Sequence, residues 1–365
     1  MFETKRALAY GASVILIALM IGCGAAPSGT PIPTQATQDS LSPPRIEAIL
    51  PTATLVANVA GEQTSEPLPT PLHPLTIEAM RARDYPGSDI TIEQILDPGS
   101  NYQRYITSYQ SDGLKIYALM TVPDGDKPPT GWPVIVFNHG YIPPGQYRTT
   151  ERYVAYQDAL ARAGYITFKS DYRGHGNSEG TPSGHFAPGY TVDVLNAVGS
   201  LMKYPDADAK RIGMWGHSLG GEMTLRAMVI NQDIKAGVIW AGTVAPPSEQ
   251  MGMWGAGTHG GSGALGQLTE QYGTPQENPG FWASLSATSY LSDLSGPAQL
   301  HHGDADPEVP LHWSQVLYDQ IIQAGQVAEV YTYPGSDHNI SQGFDLAMQR
   351  TIEFFDKYVK GNTSN

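Results

Sequence analysis

The sequence predicts an α/β fold, a mostly parallel central sheet with helices on both faces. Three observations predict it. Short apolar runs alternate with longer helical stretches over most of the chain, the βα order that produces parallel strands. No repeat at solenoid or propeller period interrupts that alternation. The 365 residues are 41% hydrophobic and 15% charged, with 40 Gly and 29 Pro, which suits a loop-rich globular body.

The N-terminus stands apart from that body. Lys5 and Arg6 precede an apolar run from Ala7 to Ile21, the pattern of a secretory signal. The run is short of the roughly 20 residues a mature spanning helix needs. It closes on Leu19-Met20-Ile21-Gly22-Cys23, which resembles the lipobox of bacterial lipoproteins, with Met20 at a place usually held by Leu. The resemblance implies that Cys23 is lipidated and becomes the new N-terminus; the alternative is an uncleaved anchor helix with a free thiol. Either reading expects an exported chain held to a lipid bilayer, facing outward. Cys23 is the single cysteine, so no disulfide forms within one chain. Residues 24–74 follow with ten prolines, seven threonines and no aromatic residue, a composition that cannot bury enough apolar surface to order itself. The expected organisation is a signal over 1–23, a linker over 24–74 and a catalytic domain over 75–361.

Within the domain, 104–110 and 114–122 read as strands of a hairpin turning at Asp112-Gly113. Strand 133–138, helix 149–163 stopped by Gly164, and strand 165–170 come next. A glycine-rich loop leads to helix 192–203, strand 211–215, helix 219–230 and strand 235–241. An irregular insertion over 243–289 is the expected lid, with Trp254, Phe281 and Trp282 as wall or packing aromatics. The chain resumes as strand 297–302, helix 311–324, strand 328–333 and helix 341–359. In such sheets ligands sit beyond the carboxyl ends of the strands.

A formal net charge of −14, with 21 basic against 35 acidic residues, excludes nucleic-acid binding through bulk charge. The pattern G-x-S-x-G occurs twice, around Ser178 and around Ser218. Context separates them. The nucleophile elbow of α/β-hydrolases needs a strand before the serine and a helix after it. Ser218, in Gly216-His217-Ser218-Leu219-Gly220, has both, whereas Ser178 lies in a loop. A serine hydroxyl also needs a histidine to take its proton and a carboxylate to orient that histidine. In α/β-hydrolases these follow in the order Ser, Asp, His. Strand 297–302 leads into His301-His302-Gly303-Asp304-Ala305-Asp306, and strand 328–333 leads into Asp337-His338. Asp304 and Asp306 compete at this point. A metal reading of His301, His302, Asp304 and Asp306 is disfavoured, because adjacent strand residues point to opposite faces. No metal is expected.

The segments GHSLGG, HHGDADPEVP and PGSDHN, with DYRGHGNSEG upstream, resemble the catalytic domains of the prolyl oligopeptidase family and its dienelactone-hydrolase-like relatives. The resemblance spans 104–359. It implies an α/β-hydrolase fold, Asp306 as the acid ahead of Val309, His338 as the base, and no cofactor. It also implies an oxyanion hole from the backbone N–H groups of Leu219 and Tyr141, the latter in Asn138-His139-Gly140-Tyr141. Full-length members carry a propeller, and the residues between Leu75 and Asn101 are too few for one, so a propeller is expected to be absent. The expectation is therefore a tethered serine hydrolase acting on small ester, acyl or short peptide substrates, with esters ahead of peptides. A serine peptidase of this family lacking the propeller, an acyltransferase with the same triad, and a non-catalytic surface binding lipoprotein are the other readings.

Overall fold

The computed structural model of the chain describes residues 72–185, 187–254 and 262–361. Cys23, the expected signal and nearly all of the expected linker lie outside the described residues. Within them, a short helix α1 (Ile77–Arg81) precedes strands β1 (Thr91–Leu96), β2 (Tyr102–Ser111), β3 (Leu114–Pro123) and β4 (Trp132–Asn138). Then come α2 (Val154–Arg162), β5 (Ile166–Ser170), α3 (Gly189–Leu201), β6 (Ala207–His217), α4 (Leu219–Ile230) and β7 (Ile234–Trp240). The insertion carries α5 (Pro247–Trp254), α6 (Ser262–Tyr272) and α7 (Pro279–Leu285). The chain ends with β8 (Ala298–Gly303), α8 (Leu311–Gln323), β9 (Ala328–Tyr333) and α9 (Phe344–Phe355).

Among the described residues, nine strands form one sheet in the order β1-β2-β3-β5-β4-β6-β7-β8-β9. The β2–β3 hairpin turns at Asp112 (φ 54°) and Gly113 (φ 77°), consecutive left-handed residues that match the twist of paired strands. From β5 through β9 every pairing is parallel. That arrangement needs cover on both faces. One face packs under α3, α4 and α8, through residues such as Leu195, Met228 and Leu317. The other packs under α2 and α9, through Leu160, Phe354 and Phe355. The expected mostly parallel, doubly covered sheet is the observed architecture, and it is the α/β-hydrolase fold.

Several boundaries differ, each for a local reason. The helix expected from 149 begins only at Val154, because Arg152 (φ 57°) and Tyr153 (φ 55°) are both left-handed and break the helical path. The last helix starts at Phe344 after a 3₁₀ turn, since Ile340 is also left-handed. Strand β1 was not expected; it is an edge strand whose residues are almost all exposed, so it carries no burial signal. Part of the insertion builds a satellite core. From helices α6 and α7, Leu265, Leu268, Trp282 and Leu285 close over the buried Leu75. The buried Arg226 ties this corner together by donating to the carbonyls of Leu75 (3.2 Å) and Leu285 (2.8 Å).

Candidate active site

The turn between β6 and α4 is tightly constrained in its backbone. Ser218 sits at φ 56°, ψ −121°, a conformation costly for a residue with a Cβ and typically held only at functional sites. Its flanking glycines are required by close approach. A Cβ on Gly216 would lie 2.1 Å from the Gly220 carbonyl oxygen, and one on Gly220 would lie 2.0 Å from the carbonyl oxygen of Asn138. Helix α4 therefore starts directly against the end of β4, and the loop after β4 lies beside the serine. A Cβ on Gly140 would be 3.1 Å from the Ser218 Cβ.

Two further loops, after β8 and β9, meet at the same end of the sheet. His338 Nδ1 lies 2.8 Å from Asp306 Oδ2, and His338 and Ser218 line one cavity of about 580 Å³. Asp306 is held by more than this contact. Its Oδ1 accepts the backbone N–H groups of Glu308 (2.8 Å) and Val309 (3.0 Å). His302 Nε2 approaches Oδ2 at 3.1 Å and the Val309 carbonyl at 3.0 Å. A carbonyl only accepts, so His302 donates from Nε2, and its Nδ1 lies 2.8 Å from the Ser314 hydroxyl. Burial alone would raise the Asp306 pKa, but the hydrogen bonds from His302, His338 and Val309 outweigh it and hold the carboxyl well below its ordinary range.

Asp304 has a different place. It is exposed, and its Oδ1 accepts the Gly335 N–H at 2.6 Å, so it braces the β9 turn rather than the histidine. Ser178 lies outside the cavity, where its Oγ accepts the Tyr117 N–H at 2.9 Å. His301 is a buried strand residue between Tyr333 and Gln299, at 2.7 Å from each, and burial pushes it down to about 3. His312 is a surface residue against Glu249.

Tyr141 lines the cavity, and Leu219 is the first residue of α4, where helix N–H groups lack intrahelical acceptors. Of the insertion, Thr243 and Met253 reach the cavity wall. Phe281 and Trp282 do not: Phe281 stacks on Tyr272 at 3.9 Å and Trp282 is buried in the satellite core. The side chain of Trp254 lies outside the described residues. Sequence reasoning missed four groups at this site. His302 could have been found from its i, i+4 spacing to Asp306, and His217 from its place inside the elbow. Tyr153 and Glu308 gave no pattern; Glu308 is exposed in the cavity with its Oε2 3.9 Å from His338 Nε2.

The fold, the elbow and the histidine–carboxylate pair define a serine hydrolase. The chain belongs to the prolyl oligopeptidase family, whose model matches residues 152–362, more than half of its length. The probable dipeptidyl-aminopeptidase B of Fusarium vanettenii is 29% identical over 246 residues, which cover 65% of this chain and 25% of that protein. The chain thus spans about a quarter of the length of this curated relative. Among solved structures, an acylaminoacyl peptidase from Pyrococcus horikoshii superposes with a TM-score of 0.58 at 23% identity, over 73% of this chain and 43% of that one. An acetyl xylan esterase from Paenibacillus sp. R4 gives the same TM-score at 19% identity, over 76% of this chain and 92% of that one. These two likenesses bear on the fold.

Proposed function

We propose that this serine hydrolase cleaves esters or acyl groups of small substrates, with Ser218 as nucleophile, His338 as base and Asp306 as the acid that orients it. The observation that carries the reading is the convergence of a strained serine elbow and the His338–Asp306 pair on one cavity. In the first step Ser218 Oγ bonds to the substrate carbonyl carbon while its proton passes to His338 Nε2. The leaving oxygen then takes that proton as its bond to the carbon breaks. Water repeats the sequence in reverse and frees the acid. The developing oxyanion falls to the Tyr141 and Leu219 N–H groups.

Ester cleavage asks of the site only nucleophile, base and oxyanion donors, and each has a candidate here. An amide additionally needs a protonated leaving amine and a well-seated peptide. We expect kcat/KM for short-chain aryl esters to exceed that for aminoacyl or prolyl anilides on the same preparation. An anilide cleaved as efficiently would overturn the ordering. One observation favours that peptidase reading: the Glu308 carboxylate in the cavity offers a partner to a substrate ammonium group. Loss of anilide cleavage alone in Glu308→Gln would then follow.

Lipidation of Cys23, with 24–74 as a tether, remains our proposal for location. Cys23→Ser is expected to abolish incorporation of a fatty-acid analogue and to release the enzyme or leave it with its signal attached. Persistent labelling of that variant would disprove it. Acyl transfer to a second acceptor would show as product formation that depends on that acceptor, and a purely binding role as absence of any turnover.

A further inference from the structure

One hydrogen-bonded line runs through three of the four loops of the site. His217 Nε2 lies 2.9 Å from the His338 carbonyl oxygen. That oxygen only accepts, so Nε2 carries the proton and Nδ1 presents a lone pair. Tyr153 lies with its hydroxyl 2.8 Å from Nδ1 and must donate to it. The hydroxyl oxygen is then free to accept the Gly140 N–H, at 2.9 Å. Every donor and acceptor in the line is assigned by elimination, and the line links the donor loop after β4, the elbow after β6 and the histidine loop after β9.

The surroundings fix this arrangement. His217 is buried, and that burial first, with His338 beside it second, pushes its pKa down to about 3, so the ring stays neutral near neutral pH. Its ring centroid packs 4.5 Å from that of His338. Tyr153 reaches its position only because Arg152 and Tyr153 both take left-handed backbone, which persists where the environment over-determines it. The fully buried Lys169 supplies that environment by donating to the carbonyls of Glu151 (3.0 Å) and Arg152 (3.2 Å). No proton or charge of the reaction needs to pass through Tyr153 or His217.

We propose that Tyr153 and His217 form a positioning clamp that sets the spacing of the oxyanion donor loop, Ser218 and His338. The proposal rests on the triad reading above. Misplacing a reacting group by about 1 Å can cost about a hundredfold in rate. A clamp acts on the transition state more than on substrate binding, so its loss should fall on kcat.

The test uses the full chain, with active sites counted by fluorophosphonate titration so that rates refer only to folded, reactive enzyme. Tyr153→Phe and His217→Ala are each expected to lower kcat for an aryl ester about 10- to 100-fold, with KM within about threefold. The double variant should be no slower than the slower single, because both changes break one unit. His217→Gln, whose side-chain amide can still donate to the His338 carbonyl, should recover about tenfold over His217→Ala. Rates within about threefold of the parent, multiplicative losses in the double variant, or a rise in KM with kcat unchanged would each overturn the clamp. Ser218→Ala run alongside separates the two ideas. If it still labels, the triad reading fails and the clamp with it; if it is silent while Tyr153→Phe and His217→Ala keep full rates, the clamp alone fails.

Discussion

Ser218→Ala is expected to abolish labelling by a fluorophosphonate and to lower turnover by about 10⁴ to 10⁶, the loss seen when a triad acting as one unit is broken. The residual rate would come from substrate binding and backbone donors alone. Ser178→Ala is the matched control. Ser178 also sits in a G-x-S-x-G pattern, yet its hydroxyl is committed to the Tyr117 N–H at the β3 strand and does not line the cavity. Labelling and turnover in that variant should match the parent. Labelling that survives Ser218→Ala and disappears in Ser178→Ala would move the nucleophile to the loop and undo the elbow assignment. Thermal melting should change little in Ser218→Ala, because removing one hydroxyl leaves the packing of α4 on β4 intact.

The inner strands of the parallel half were legible because they are buried on both faces and so read as apolar runs, as in Pro133 to Asn138. The elbow was legible for a different reason. Its glycines are demanded by backbone contacts at about 2 Å, so the motif records a steric fact. Strand β1 was not legible, since an exposed edge strand has no burial pattern to display. Nor was the start of α2. Residues 149–153 carry no helix breaker, and the left-handed turn at Arg152 and Tyr153 is imposed by Lys169 and by the hydroxyl contacts of Tyr153, all distant in sequence.

The same contrast applies to the site. That Ser218, Asp306 and His338 lie at one end of the sheet could be read because each follows a strand in a fixed order. The fate of Phe281 and Trp282 could not. Aromatics in an insertion look alike whether they wall a cavity or fill a core, and here Leu75, far upstream, draws Trp282 into a satellite core instead. His302 lies near the end of β8 and is buried. Its contact with Asp306 depends on the loop folding back by one helical-turn spacing, which the residue order permits but does not require.

Asp306→Asn is expected to lower kcat by about 10⁴ while leaving the fold in place, because an amide cannot stabilise a charged imidazole and can favour its wrong tautomer. The structure sharpens the expectation. Asp306 Oδ2 faces His338 Nδ1 at 2.8 Å and His302 Nε2 at 3.1 Å, so whichever way the new amide turns it either loses an acceptor for a histidine or sets N–H against N–H. Asp304→Asn should stay within a few-fold of the parent, since an amide oxygen can still accept the Gly335 N–H. Acid should weaken the site by the same route. The folded-state pKa of Asp306 is depressed, so its stabilisation is complete above the ordinary aspartate value of about 3.9 and is lost as pH falls through the folded value. Asp306→Asn should therefore flatten the acid limb of a melting-temperature profile. A large loss of activity in Asp304→Asn with Asp306→Asn nearly intact would reverse the assignment of the acid.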